Sequence, residues 1–180
     1  MKTLTRPPLN RLAVIILLLV GGCAAVTSSD DLSPRVSVTF MEPEKFTDAR
    51  RAELEPTSKS VLGELQNFIV QTGARYVPEN MRLTIKVTNV DLAGDFELFR
   101  GPQAGQVRII KGLYPPRIVL DFELVDSAGS VIKAGKRNLT DINYQLRSVY
   151  PREDALRYEK DLLRDWLRSE FNGVQGRTVG

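Results

Sequence analysis

Leu83-Thr84-Ile85-Lys86-Val87-Thr88 alternates apolar and polar residues without a break. Successive side chains of a strand point to opposite faces, so this stretch predicts a strand, about Arg82 to Val90, with one buried and one wet face. The pattern recurs. Ile118, Leu120, Phe122 and Leu124 fall on one face of a second strand, with Val119, Asp121, Glu123 and Val125 on the other. Val36 to Phe40 alternates in the same way. Asp126-Ser127-Ala128-Gly129 is a turn signal, and Val131 to Leu139 reads as the returning partner of an antiparallel hairpin. A sheet with one apolar face must be covered, and this constrains the fold more than any other feature.

Two segments have the helical spacing to cover it. Val61, Leu62, Leu65, Phe68 and Ile69 lie on one face of a helix that Thr57 or Ser58 would cap and that Gly73 and Pro78 would end. Leu156, Leu163 and Leu167 form a second stripe, flanked by Leu162 and by Trp166, which reads as a core anchor. Pro151 suits the first position of that helix, Glu153 and Asp154 its first turn, and Gly173 its end. Glu153–Arg157 and Asp161–Arg164 are spaced to form ion pairs. Arg157, Tyr158, Glu159 and Lys160 read as a solvated face with ion pairs, or else as a recognition surface, with Glu159 pointing away from Arg157 and Lys160. Between the strands, 95–116 is broken by glycine and proline; Phe96 to Arg100 and Gln106 to Ile110 suggest a small hairpin. The expected fold is α+β: a mainly antiparallel sheet of four to five strands with two helices packed on one face, spanning residues 35–172. Residues 173–180 read as a disordered tail.

The first 34 residues are of another kind. Lys2, Arg6 and Arg11 precede nine consecutive apolar residues, Leu12 to Val20, and then Gly21, Gly22 and Cys23. This is the layout of a secretory signal peptide over residues 1–22. The apolar run is shorter than the roughly 20 residues a membrane-spanning helix needs. Cys23 is the sole cysteine of the chain, so no intramolecular disulfide can form. Val20-Gly21-Gly22-Cys23 resembles the bacterial lipobox. That resemblance implies a thioether lipid on Cys23, cleavage before it, and acylation of the new amino group. Lipoboxes more often carry Leu where this chain has Val20, and Ala or Ser where it has Gly21. Ala24, rather than Asp, follows the cysteine. By resemblance to enteric sorting, this points to the inner leaflet of the outer membrane, facing the periplasm. Residues 23–34 then read as a flexible tether.

Removing Lys2, Arg6 and Arg11 from the 25 basic residues leaves 22 against 22 acidic ones, so the mature chain has no net charge. No basic field remains for nucleic acid, despite a sequence pI near 9.1. The chain has no histidine, which excludes Ser-His-Asp and Cys-His catalysis and histidine metal ligands. No phosphate-binding glycine loop and no Gly-x-Ser-x-Gly is present.

Two candidate surfaces remain. Asp91, Asp95 and Glu97 cluster where the best strand meets the broken loop, a residue set suited to glycosidase chemistry or calcium, or to capping a turn at Gly94 and pairing with Arg100 or Arg117. Phe96, Phe99, Arg100 and Tyr114 on the same long loop would leave apolar surface for a partner. Asp141 and Tyr144 read as structural, Asp141 accepting from Arg117 or a backbone amide.

Several stretches together resemble the bacterial envelope family called domain of unknown function 3016. They are Val38-Thr39-Phe40 with Pro43, Phe46 and Asp48; Val90 to Gly94; Pro116-Arg117-Ile118; Leu139 to Tyr144; and Leu156 to Leu163 with Asp165-Trp166. That family brings no activity, cofactor or partner with it. The expectation is a non-catalytic envelope lipoprotein, held to the membrane by lipid on Cys23 and contacting an envelope protein or ligand. It binds no cofactor, metal or nucleic acid. The alternative is a carbohydrate- or peptidoglycan-directed enzyme or binder using the acidic cluster.

Overall fold

The computed structural model describes residues 34–48, 58–95 and 108–174. Among them are four strands and two α-helices: β1 (Val36–Phe40), α1 (Ser58–Gly73), β2 (Met81–Asp91), β3 (Arg117–Asp126), β4 (Val131–Thr140) and α2 (Arg157–Phe171). The strands make one sheet in chain order, β1-β2-β3-β4. β2 pairs antiparallel with β3, and β3 with β4. β1 pairs parallel with β2, Val36 opposite Leu83 and Phe40 opposite Val87. A parallel pair needs a crossover between its strands, and α1 lies in that connection.

The alternation decides which face is dry. Leu83, Ile85 and Val87 of β2 and Ile118, Leu120, Phe122 and Leu124 of β3 are buried, and α1 and α2 share their core through Leu65, Ile69, Leu163, Leu167 and Phe171. Arg82, Thr84 and Lys86 face the other way and are exposed. Both helices therefore sit on one face. Phe122, Trp166 and Phe171 meet edge to face, with ring centres 5.5–5.7 Å apart, a geometry that suits the ring quadrupole.

β4 is the edge the helices cover least. Its inward positions are Lys133, Gly135, Arg137 and Leu139, opposite Leu124, Phe122, Leu120 and Ile118. The two cations turn back onto Glu170 of α2. Lys133 Nζ lies 2.7 Å from Oε1, and the Arg137 guanidinium grips both carboxylate oxygens at 2.8 Å. Arg137 lies over the Phe122 ring at 5.0 Å, in the space that Gly135 leaves open.

Two local expectations need correction. α2 does not start at Pro151, which follows a cis Tyr150–Pro151 peptide; it starts at Arg157. Asp154 Oδ1 accepts the Leu156 N–H at 2.8 Å, forming a turn that delays the helix by about 1.7 turns. Arg157 there meets the Asp154 carbonyl and the Tyr158 hydroxyl. The second correction is Glu159, which is not on a solvated face but 1% exposed. At the far end, α2 stops at Phe171, and Gly173 takes φ +82°, the left-handed conformation that closes many helices. The Asp161–Arg164 pair forms at 3.0 Å. The Asp126–Gly129 turn also forms: Asp126 Oδ1 accepts from Ala128 and Ser130, and Gly129 has φ +80°.

Candidate functional site

β2 ends at Asp91, opposite Arg117 where β3 begins, and Arg117 lies opposite Thr140 where β4 ends. The connections leaving this end of the sheet gather here, and a few polar side chains at the margin of the apolar core hold them. Gly94 has φ +84°, and a Cβ there would stand 2.7 Å from the Ile109 carbonyl oxygen, so the turn requires glycine. The Gly94 N–H donates to Tyr114 O at 2.9 Å, and Asp95 and Ile109 exchange backbone hydrogen bonds at 3.0 and 2.8 Å. This is an isolated bridge; Phe96–Arg100, one arm of the expected hairpin, lies outside the described residues, as does the start of the other.

Three side chains fix the turn from behind. Arg108 donates to the carbonyls of Leu92 and Gly94 at 3.3 and 3.2 Å and pairs with Asp48 at 3.1 Å. Asp48 in turn accepts the Leu92 N–H. Glu159 reaches across from α2, its Oε1 accepting the Ala93 N–H at 2.6 Å. Burial pushes the Glu159 carboxyl above the usual range; the Ala93 amide and the charge of Arg108 oppose that shift, and Asp48 adds to it. Glu159 Oε2 is buried with no hydrogen-bond partner.

In front of the turn is a cleft of about 280 Å³, lined by Thr47, Asp48, Asp91, Leu92, Gly94, Asp95, Leu113, Tyr114, Pro115 and Arg117. The fold therefore brings Asp91, Asp95 and Tyr114, candidates from the two separate surfaces, to one place. Carboxylates, a phenol and a guanidinium thus line the cleft. Among the described residues, no group of three acids, histidines or cysteines is placed to hold a metal ion. Cys23, Phe96, Glu97, Phe99 and Arg100 lie outside the described residues.

Beside the cleft the surface turns apolar. Leu113 is 76% exposed, Ile142 70%, and Leu146 and Tyr150 85% each. They stand on two abutting segments. The Tyr144 hydroxyl donates to Lys111 O at 2.7 Å, and Gln145 Nε2 to Ile110 O at 3.1 Å. Tyr144 is itself buried and meets Tyr158 edge to face at 4.7 Å; burial raises its phenol above the ordinary value. Asp141 accepts from Asn143 N–H and pairs with Arg147, not Arg117. Arg147 also pairs with Asp161 and Asp165 of α2. Leu113, Ile142 and Leu146 thus project from segments that these side chains tie down.

The sequence reading missed Glu159, Arg108, and the exposed Ile142, Leu146 and Tyr150. Glu159 carried a signal: it lies three residues after Leu156 and four before Leu163, on the buried stripe. Arg108 sits in no periodic element and carried none.

A family profile described as "Protein of unknown function (DUF3016)" matches residues 34–169. The chain belongs to this family. The match takes in every described strand and nearly all of α2, so the DUF3016 domain is the α+β unit with its loop end. No curated protein matches the chain. Among solved structures it is similar to the PelC dodecamer from Paraburkholderia phytofirmans, at 14% identity over 78% of this chain and 88% of that one, with a TM-score of 0.36. At that score the likeness carries no argument. No helix among the described residues is long and apolar enough to cross a membrane.

Proposed function

We propose that this DUF3016 protein is an exported lipoprotein, anchored through Cys23, whose domain works by contact rather than catalysis and docks an envelope protein at the loop end of its sheet. One observation supports the contact reading above others: Leu113, Ile142 and Leu146 stand exposed on segments pinned by Tyr144, Gln145 and Arg147, with exposed Tyr150 following in the chain. Apolar groups held rigid before binding lose little entropy on binding, the property of a docking surface. The non-catalytic reading rests on how the acids are used. Asp48 and Glu159 hold backbone amides, a role that fixes a loop rather than moves a proton. The anchor reading rests on the lipobox-like sequence at Cys23.

The test is in cells fed radiolabelled palmitate. The native chain is expected to take up label, and Cys23→Ser to lose it. Chemical crosslinking of the labelled protein is expected to recover one recurrent envelope protein, absent with Leu113→Asp/Leu146→Asp. Label retained by Cys23→Ser, or the same adducts from the double variant, would refute the corresponding half.

A second reading is supported by the cleft. Two carboxylates beside a tyrosine ring suit the hydroxyls and the apolar face of a sugar, so a glycan binder at Asp91, Asp95 and Tyr114 is the competing proposal. Retention on peptidoglycan that disappears with Asp91→Asn would favour it.

A further inference from the structure

The position of the anchor and the length of chain behind it select among the occupants of the apolar patch. This rests on the lipid-anchor reading above. β1 begins at Val36, opposite Leu83, and β2 begins opposite Asp126, where β3 ends. The chain therefore enters the domain at the end of the sheet that carries the β3–β4 turn. Leu113, Ile142 and Leu146 belong to connections at the other end, where Asp91, Arg117 and Thr140 align.

Ten-residue strands separate the two ends, about 34 Å at the usual rise per residue. Residues 24–34 are the chain between Cys23 and the sheet, and eleven residues reach at most about 40 Å. A relaxed chain of that length averages roughly 18 Å end to end. For the patch to enter the bilayer that holds Cys23, those residues would have to run back along nearly the whole sheet at close to full extension. That ordering is costly in chain entropy. The β3–β4 turn needs no such stretch.

We infer that the domain stands on its membrane by the β3–β4 turn end and presents Leu113, Ile142, Leu146 and Tyr150 away from it, to an apolar groove on a different envelope protein. The bilayer and a second copy of this chain are the alternative occupants.

Cys23 being the sole native cysteine, acylation leaves no other thiol, so Leu146→Cys and Ala128→Cys each supply one reporter. The lipidated chains are placed in phosphatidylethanolamine/phosphatidylglycerol vesicles containing brominated lipid, with a fluorophore on the thiol. Fluorescence at position 128 is expected to be quenched and at 146 unquenched. The thiol at 146 is then expected to react freely with a maleimide in vesicles and several-fold more slowly in cells, before and after muramidase digestion of the cell wall. Vesicles contain lipid and further copies of the chain, so shielding confined to cells identifies neither of them as the cover.

Quenching at 146, shielding already present in vesicles, equal reactivity in cells and vesicles, or shielding lost with the wall would each overturn the inference. Mass spectrometry of the intact chain separates the two readings. An unmodified Cys23 would remove the anchor itself, whereas an acylated Cys23 with position 146 quenched would remove only the orientation.

Discussion

Glu159 is the residue whose role is clearest in physical terms. A buried carboxylate with one oxygen on an amide and the other without a partner is costly in its charged form. Its raised pKa means that the folded state binds the proton more tightly than the unfolded one. Its stabilising contribution is therefore present below the ordinary carboxylate pKa and is lost as pH rises through the raised value. Glu159→Gln keeps an acceptor for Ala93 N–H and removes the charge. It is expected to be at least as stable as the native chain at pH 8, with a flatter neutral limb in a plot of urea midpoint against pH. Glu159→Leu leaves the Ala93 amide unpaired and is expected to cost about 1–3 kcal/mol in the same assay.

Glu170 has the opposite sign. The Arg137 and Lys133 hydrogen bonds pull its pKa to about 2, against partial burial. Its contribution is complete above the unfolded value of 4.5 and is lost as pH falls from there towards 2. Glu170→Gln should destabilise the domain at pH 7 and leave that acid limb flatter. An unchanged limb would mean that the bridge from β4 to α2 does not hold the edge.

At the scale of elements, α2 supplies Leu162, Leu163, Trp166, Leu167 and Phe171 to the buried core. Leu163 and Leu167 are completely buried, so Leu163→Ala is expected to cost about 2–5 kcal/mol, while Leu146→Ala, whose side chain is exposed, should change stability little. Thermal or urea unfolding of the two side by side checks this. Elements with strict periodicity were readable from the sequence: β2, β3, the Asp126–Gly129 turn and the buried stripe of α2. The start of α2 was not, because Pro151 satisfies a helix-start rule while Asp154, three residues on, makes a turn that wins locally. The parallel pairing of β1 was not readable either. Five alternating residues look the same in either direction, and only the crossover through α1 decides. Glu159 was misassigned because its charge outweighed its spacing, although the spacing was correct.

At the scale of the whole molecule, the two ends of the sheet differ. One receives the chain from Cys23 and carries a polar turn. The other is built from irregular segments, fixed by Asp48, Arg108, Glu159 and Arg147, and carries the cleft and the apolar patch. Little of this second end was legible in the sequence. Asp91, Asp95 and Tyr114 were identified as candidates, but for two separate surfaces. Leu113, Ile142 and Leu146 lie in stretches without periodicity, and tertiary contacts such as the hydrogen bonds of Tyr144 and Gln145 bring their segments together. The most direct measurement is a photoreactive amino acid placed in turn at positions 113, 142, 146 and 150, and at 128, 132 and 138, in the lipidated chain in living cells. The docking account predicts adducts to one envelope protein from the first set and none to it from the second. Adducts from the second set, or none from either, would contradict it.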